Sequence, residues 1–344
     1  MLSLSQRYSR QILFPDIGQE GQARLSASRV VIAGCGALGT VQADLLCRAG
    51  VGHLRIIDRD FIEESNLQRQ SLFSEQDLLE NLPKAVAAER RLRAVNSSVQ
   101  VEGIVADLNY RNIEKLVGQP DCILDATDNF EARYLLNDYA LKFSIPWIYG
   151  AAVSSYGMTM TILPGQTPCL RCIFETMPPP GSAPTCDTVG VLSPLVNVIA
   201  SLQVAEALKI LCGHPEKINC RLVQVDVWQS SWRSLDVSQA RQTGTCPACS
   251  KGQLEYLEGK GNSAAVTLCG RNTIQVTPPG DVQLDLSDLA ARLALQGEVR
   301  FNEYLLRFST AVFEMTLFPD GRALIKGAQD PAQARSIYAR HVGL

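Results

Sequence analysis

The sequence predicts an α/β protein: a Rossmann-like, mostly parallel sheet that continues into antiparallel strands, plus a small C-terminal α+β domain. Three observations carry that expectation. An apolar run, Val30-Val31-Ile32-Ala33, breaks at Gly34-Cys35-Gly36-Ala37-Leu38-Gly39 and resumes as an Ala/Leu-rich helical pattern to Ala49. Further β-like runs stand at Leu54-Ile57, Val99-Val105, Asp121-Asp125, Pro146-Ala152 and Gly157-Leu163. The composition then shifts at Glu258-Gly-Lys-Gly-Asn-Ser263, where a flexible linker would separate a last stretch of about eighty residues.

The first strand, turn and helix form a phosphate site. A helix N-terminus leaves N–H groups unpaired and carries partial positive charge, and Gly34, Gly36 and Gly39 let a phosphate approach that backbone. The second strand ends in Asp58, about 20 residues beyond the glycines, where a carboxylate can accept hydrogen bonds from a ribose. Such a turn is shared by dehydrogenases, methyltransferases and flavoproteins, so the residues after Asp58 decide between them. Here a second acid, Asp60, precedes Ser65-Asn66-Leu67-Gln68-Arg69-Gln70. An amide and a guanidinium so near a phosphate turn suit a free triphosphate, whose charge must be neutralised while one P–O bond breaks.

The glycine turn, the paired acids of Ile56-Ile-Asp-Arg-Asp60 and the Ser65 to Gln70 string resemble the ThiF/MoeB family, bacterial relatives of the ubiquitin-activating enzymes. The resemblance runs from about Arg7 to Cys249. It implies ATP-dependent adenylation of the C-terminal glycine of a small ubiquitin-like sulfur-carrier protein by a homodimer. It also assigns residues. Arg10 of the Arg7-Tyr-Ser-Arg-Gln string matches an arginine that reaches the ATP phosphates of the other subunit, and Lys84 matches a lysine on those phosphates. Asp128, directly before Asn129, matches an aspartate near the phosphates and Mg2+.

Hydrophobic residues make up 46% of the 344, ample for a core, and one large plus one small domain is the natural division. We expect an adenylation domain over 1–250, a linker over 251–263 and the small domain over 264–344. A formal charge of −3 offers no basic footprint, so neither nucleic acid nor an anionic membrane is an expected partner. The N-terminal dozen residues lack an apolar signal core, and the longest apolar segment, Val189 to Leu211, is interrupted by polar residues; a cytoplasmic protein is expected.

Eleven cysteines form an odd set in a long chain, which argues against a disulfide framework. Four of them make two CxxC pairs, Cys169/Cys172 and Cys246/Cys249, and together complete a four-sulfur Zn2+ site. A redox CxxC would explain one pair but not two. A closed site of this kind ties distant segments together.

Arg7 to Ile12 reads as a short helix, and Pro83 opens an Ala-rich helix that puts Lys84 in its first turn. A cation there opposes the helix dipole, a mismatch that a bound phosphate would resolve. Asp128 comes after the fourth strand at the end where open α/β sheets place ligands, or else it caps the helix from Asn129 to Phe143. Arg133 could face the site or pair with Glu131 or Asp138. Past Met177 the chain is proline-rich, placing Cys186 on or beside a loop ahead of Gly190-Val191-Leu-Ser-Pro194; in some members of the resembling family a cysteine there links covalently to the carrier.

Val191 to Leu211 reads as a core helix with Gln203, Glu206 and Lys209 on its polar side, and Arg221 to Val227 alternates as a strand ahead of Trp228 and Trp232. The family resemblance implies that this sheet surface binds the globular part of the carrier. The tail reads as a strand (273–276), a helix (287–295), two strands around Asp320-Gly321 and a helix from Pro331. Its single cysteine, Cys269, runs straight into a strand, against a sulfurtransferase loop.

These residues describe a mechanism in which the carrier carboxylate is itself the nucleophile. Asn66, Arg69, Lys84 and the partner's Arg10 would neutralise charge and Asp128 would hold Mg2+, with Gly34, Gly36, Gly39, Asp58, Asp60, Ser65, Gln70 and Asn129 completing the ATP site. The acyl-adenylate would then be sulfurated with a cysteine desulfurase or sulfurtransferase as donor, Cys186 assisting. The tail favours a ThiS-like carrier for thiamin thiazole over a MoaD-like carrier for molybdopterin. An NAD-dependent oxidoreductase is disfavoured, because His53, His214 and His341 are scattered, and an inactive scaffold is disfavoured by the presence of Arg69, Lys84 and Asp128 together.

Overall fold

A computed structural model describes residues 4–178, 185–260, 265–268, 273–278 and 282–343. The chain divides into a large unit, Met1–Pro178 with Val189–Gly261, and a small one whose bulk is Asn262–Leu344.

The large unit is built on one eight-stranded sheet: β1 (Arg29–Ala33), β2 (His53–Asp58), β3 (Gln100–Val105), β4 (Cys122–Asp125), β5 (Trp147–Val153), β6 (Tyr156–Ile162), β7 (Leu222–Asp226) and β8 (Ser231–Leu235). Their order is β3-β2-β1-β4-β5-β6-β7-β8. The first five are parallel, and β6, β7 and β8 continue antiparallel from β5. The chain leaves β1 towards β3 and returns on the other side at β4, so the switch point lies at β1, where open sheets bind ligands. Register sets the three strand ends level: Ala33 pairs with Ile57 and with Asp125.

Two apolar layers hold this sheet. On one face the helix Ala37–Ala49 and the long helix Ser193–Cys212 pack on each other and on the strands. On the other, Phe130–Phe143 buries Tyr134, Leu135, Leu136 and Tyr139. The helix Ser193–Cys212 is long and apolar enough to cross a bilayer by length and composition. Here it packs on β5 and β6 with Leu195, Val196, Ile199 and Ala200 fully buried. The residue pattern puts Gln203 on its polar side; Gln203 is instead 0% exposed.

The small unit carries β9 (Ala265–Leu268), β10 (Thr273–Val276), β11 (Glu298–Phe301), β12 (Leu306–Ser309), β13 (Glu314–Leu317) and β14 (Ala323–Lys326) in one antiparallel sheet, order β11-β12-β13-β14-β10-β9. Its core joins that sheet to the helices Leu286–Leu293 and Pro331–Val342. The strand at 273, the hairpin around Asp320-Gly321 and the last helix stand where the sequence places them. Three further four-residue strands, β9, β11 and β12, are not read from the sequence. Cys269 lies outside the described residues.

Residues 251–260, which the composition marks as the start of a linker, are packed on the large unit. The Tyr256 ring lies 4.8 Å from that of Tyr134, its N–H donates to Asp138 Oδ2 at 3.0 Å, and Glu255 pairs with Arg171. Burial pushes the Asp138 carboxyl from 3.8 up to about 6, against the opposing hydrogen bonds from Tyr256, Asn137 and Leu257. Below pH 3.8 folded and unfolded chains both hold this proton, and between 3.8 and about 6 the folded chain holds it more tightly. Stability contributed by Asp138 therefore falls as pH rises through that window. Denaturant titrations at pH 4 and pH 7 are expected to show a smaller pH dependence in Asp138→Asn than in the parent; equal dependence would remove Asp138 as its source.

Candidate active site and metal centre

Gly34 comes directly after β1 with φ +97°, a backbone conformation that excludes ordinary side chains. At Gly39, inside the first turn of the next helix, a Cβ would sit 2.2 Å from the Gly34 carbonyl oxygen. These two glycines shape the turn from within. Gly36, the N-cap, faces open space, with only Gln70 Nε2 4.0 Å from where its Cβ would be. The helix start at Ala37 is thus presented to a ligand without a side chain in the way.

Asp58 braces this turn. Its Oδ2 accepts the Cys35 N–H at 2.5 Å and its Oδ1 the Asp60 N–H at 2.6 Å, so both oxygens already hold backbone. Burial raises its pKa, with Lys84 opposing and Asp60 adding to the rise. Asp60 is the more accessible acid and stands 3.1 Å from Lys84 Nζ. Lys84 is 3% exposed and begins the helix Lys84–Val95, with its N–H on the Asp60 carbonyl. An ion pair with Asp60 therefore answers part of the dipole mismatch seen in the sequence.

The Ser65 to Gln70 string wraps beside the turn. Asn66, 1% exposed, accepts the Glu63 N–H through Oδ1 and closes a single 3-10 turn. Arg69 donates to the Ser65 carbonyl at 2.6 Å and, among the described residues, pairs with no carboxylate. Gln70 is buried beside Gly36, and its Oε1 has no hydrogen-bond partner among the described residues. A buried acceptor without a partner at a ligand site marks an incomplete shell.

On the other side of β1, β4 ends at Asp125. Asn129, not Asp128, caps the helix Phe130–Phe143, accepting the Ala132 N–H at 2.8 Å. Asp128 is exposed and carries no capping duty. Arg133 pairs neither with Glu131 nor with Asp138. It lies 3.3 Å from the buried Asp125, donates to the Thr127 carbonyl at 2.7 Å and stands over the rings of Phe130 and Tyr149.

Arg59 and Asp107 belong to this charge cluster although no sequence motif marks them. Arg59 Nη1 pairs with Asp107 at 2.8 Å and Nε lies 3.8 Å from Asp60. Burial would lower its pKa, but Asp107, Asp60 and Asp128 together hold it raised. Position alone hints at the pair: Arg59 separates the two acids at the end of the second strand, and Asp107 stands just past the third.

Arg10 is not brought to this cleft by any contact among the described residues. Arg10 is exposed in the short helix Ser9–Ile12 and makes no ion pair among the described residues. Its neighbours dock at the far end of the helix Ala37–Ala49: Gln11 donates to Ala49 and Tyr8 packs on Gly50. Thirteen helical residues rise about 20 Å, so Arg10 stands that far from its own chain's turn. Cys186 opens one helical turn, Cys186–Val189, is half-buried and is not in a disulfide; the segment groups with the small unit.

The four cysteines converge. Cys169, Cys172, Cys246 and Cys249 have sulfurs within 4.8 Å of one another, with Sγ–Sγ distances of 3.8, 3.6 and 3.4 Å across three pairs. Four sulfurs about 2.3 Å from one metal would be about 3.8 Å apart at tetrahedral geometry, so the set fits a closed tetrathiolate centre. Asn137 Oδ1 fixes this corner by accepting the Leu170 N–H at 2.9 Å.

Comparisons with known proteins identify the family. The ThiF family model matches residues 8–249, and the chain belongs to that family. It is 46% identical over 338 residues to the sulfur carrier protein ThiS adenylyltransferase of Bacillus subtilis, covering 98% of this chain and 99% of that one. It is 39% identical over 248 residues to the sulfur carrier protein adenylyltransferase of Thermus thermophilus, covering 71% and 90%. Among solved structures, E. coli MccB with ATP superposes with TM-score 0.59 at 26% identity, covering 71% of this chain and 73% of that one.

Metal analysis of purified protein is expected to find about one thiolate-bound divalent ion per chain, and Cys246→Ser is expected to lose it together with several degrees of thermal midpoint. A metal-free parent with the same midpoint would overturn the assignment.

Proposed function

We propose that this ThiF-family chain transfers the adenylyl group of ATP to the C-terminal glycine of a small ubiquitin-like sulfur-carrier protein of the ThiS kind. The product would feed thiocarboxylate formation for the thiazole of thiamin. The observation that carries this reading is the end-to-end similarity to a ThiS adenylyltransferase, which extends through the small unit. Relatives acting on other carriers, such as the SAMP-activating enzyme E1 of Haloferax volcanii at 38% identity, match only 73% of this chain.

ATP would lie across the switch point, its phosphates over Gly34, Gly36 and Gly39 and its ribose towards Asp58 and Asp60. An oxygen of the carrier's terminal carboxylate attacks the α-phosphorus, the bond to the β-phosphate breaks, and pyrophosphate leaves with the electron pair. The attacking group is already an anion, so no side chain need remove a proton. The chain must supply alignment and positive charge. Lys84 and Arg69 provide it from one side of the turn, Ser65, Asn66 and Gln70 shape the wall, and Asn129 anchors the segment bearing Asp128. Asp128 would hold the Mg2+ that accompanies ATP and screens its charge.

Arg10 stands far from its own cleft, which supports a homodimer in which each chain completes the other's site. The tetrathiolate metal would be Zn2+ in a structural role. The half-buried thiol of Cys186 would serve the later sulfur step, supplied by a cysteine desulfurase or sulfurtransferase. The setting is cytoplasmic, with neither nucleic acid nor membrane as partner.

ATP–pyrophosphate exchange measured with Mg2+ and a ThiS-like carrier ending in Gly-Gly is expected to proceed, and to fail with a MoaD-like carrier; exchange with the second alone would move the reading to molybdopterin. Arg69→Ala, at a residue with no carboxylate partner among those described, should slow exchange by roughly 10²- to 10³-fold, or about 3 to 4 kcal/mol, with little change in stability. A loss of tenfold or less would remove Arg69 from charge neutralisation.

A further inference from the structure

Pairing between β4 and β5 lasts only two residues, Ile123 with Trp147 and Leu124 with Ile148. Beyond Leu124 the strands part while still buried, Asp125 at 0% exposure. A continued parallel ladder would bond the Asp125 carbonyl to a β5 N–H. Instead the carbonyl accepts from two side-chain amides, Gln42 Nε2 at 3.0 Å and Gln203 Nε2 at 2.8 Å. Gln203 Nε2 also donates to the Ile148 carbonyl at 3.0 Å, and its Oε1 accepts from Gln42 at 2.7 Å. Both glutamines are fully buried. Gly150 makes room, since a Cβ there would meet the Gln203 amide at 2.4 Å.

A ladder would satisfy these groups without burying two amides. The parting has another consequence: it lets the chain leave the sheet at Ala126. Asp125 Oδ1 then grips Thr127 through both N–H and hydroxyl, at 2.9 and 2.7 Å, and Asp128 comes next. Gln42 sits on the helix Ala37–Ala49, whose N-terminus is the glycine turn. One amide pair therefore joins the two walls of the cleft.

We propose that Gln203, together with Gln42, is a positioning residue for adenylyl transfer, holding the parted ends of β4 and β5 so that Asp128 stands at a fixed place relative to the glycine turn. This rests on the adenylation reading above. Neither glutamine touches substrate.

The test compares Gln203→Met, similar in length but without donors, with Ile199→Ala, a neighbouring core truncation on the same helix. Both are made in the full chain with its metal. In Gln203→Met, hydrogen–deuterium exchange of the segment 125–129 should accelerate while β6 and β7 keep their protection. Its exchange kcat should fall about 10²-fold, as misplacement by an ångström can cost, and the Mg2+ concentration for half-maximal rate should rise. Ile199→Ala should lower the thermal midpoint with neither change. Unaltered protection over 125–129, or a Gln203→Met that differs from Ile199→Ala in no readout, overturns the inference. If the parent itself catalyses no exchange with any carrier, the adenylation reading fails, and the protection measurement alone still decides whether Gln203 holds the segment.

Discussion

Three neighbouring strands end almost level, at Ala33, Asp58 and Asp125, and the cleft depends on how the backbone groups left over there are satisfied. A parallel sheet has hydrogen-bonding partners for its interior and none for its rim, and buried backbone groups cannot be left unpaired. Side chains take over where the ladder stops. Asp58 receives the N–H groups of Cys35 and Asp60, and Asp125 receives the N–H and the hydroxyl of Thr127. The two carboxylates flank the glycine turn and fix the segments that carry Asp60 and Asp128. Their cost is desolvation, seen as raised pKa values at both positions, with Lys84 opposing at one and Arg133 at the other.

The charges of the cleft derive from that arrangement. Asp60, Asp107 and Asp128 surround Arg59, while Lys84 is held by Asp60. Two cations among three acids offset all but one of the negative charges. A triphosphate adds several negative charges, and in a partly desolvated cleft each needs a counter-charge close by. Arg69 has no carboxylate partner among the described residues and donates instead to the Ser65 carbonyl. Lys84 is thus held by an acid and Arg69 by a backbone carbonyl. Arg10 is exposed on the helix Ser9–Ile12, whose neighbouring residues dock at the far end of the helix Ala37–Ala49.

The features most legible in the sequence are those that depend on local pattern. The strand-turn-helix at Val30 to Ala49, the acids after β2, the helix from Lys84 and the two CxxC pairs all obey rules that operate within a few residues. The strand at 273 and the final helix are legible for the same reason. Less legible is anything decided across the sheet. Asp128 and Asn129 are equally good caps by residue type, and only the geometry gives the duty to Asn129. Arg133 has two acids nearby on its own helix and takes a third, Asp125, eight residues back. Gln203 looks solvent-facing because helices of soluble proteins put polar residues outside, and periodicity cannot report that a parted strand pair awaits it.

The helix Phe130–Phe143 joins these local and long-range features. Its N-terminus presents Asn129 and Arg133 to the strand end at Asp125, so it fixes the segment bearing Asp128. One turn further, Asn137 and Asp138, both fully buried, accept the N–H groups of Leu170 and Tyr256. Leu170 lies between the first two cysteines of the tetrathiolate set, and Tyr256 lies a few residues beyond the last. Polar side chains in the middle of a helix face are costly unless each is paired. Here each of the two holds one arm of the four-cysteine corner. The same helix thus meets the strand end at Asp125 with its first turn and the four-cysteine corner with its middle, so a shift of the helix would disturb both at once.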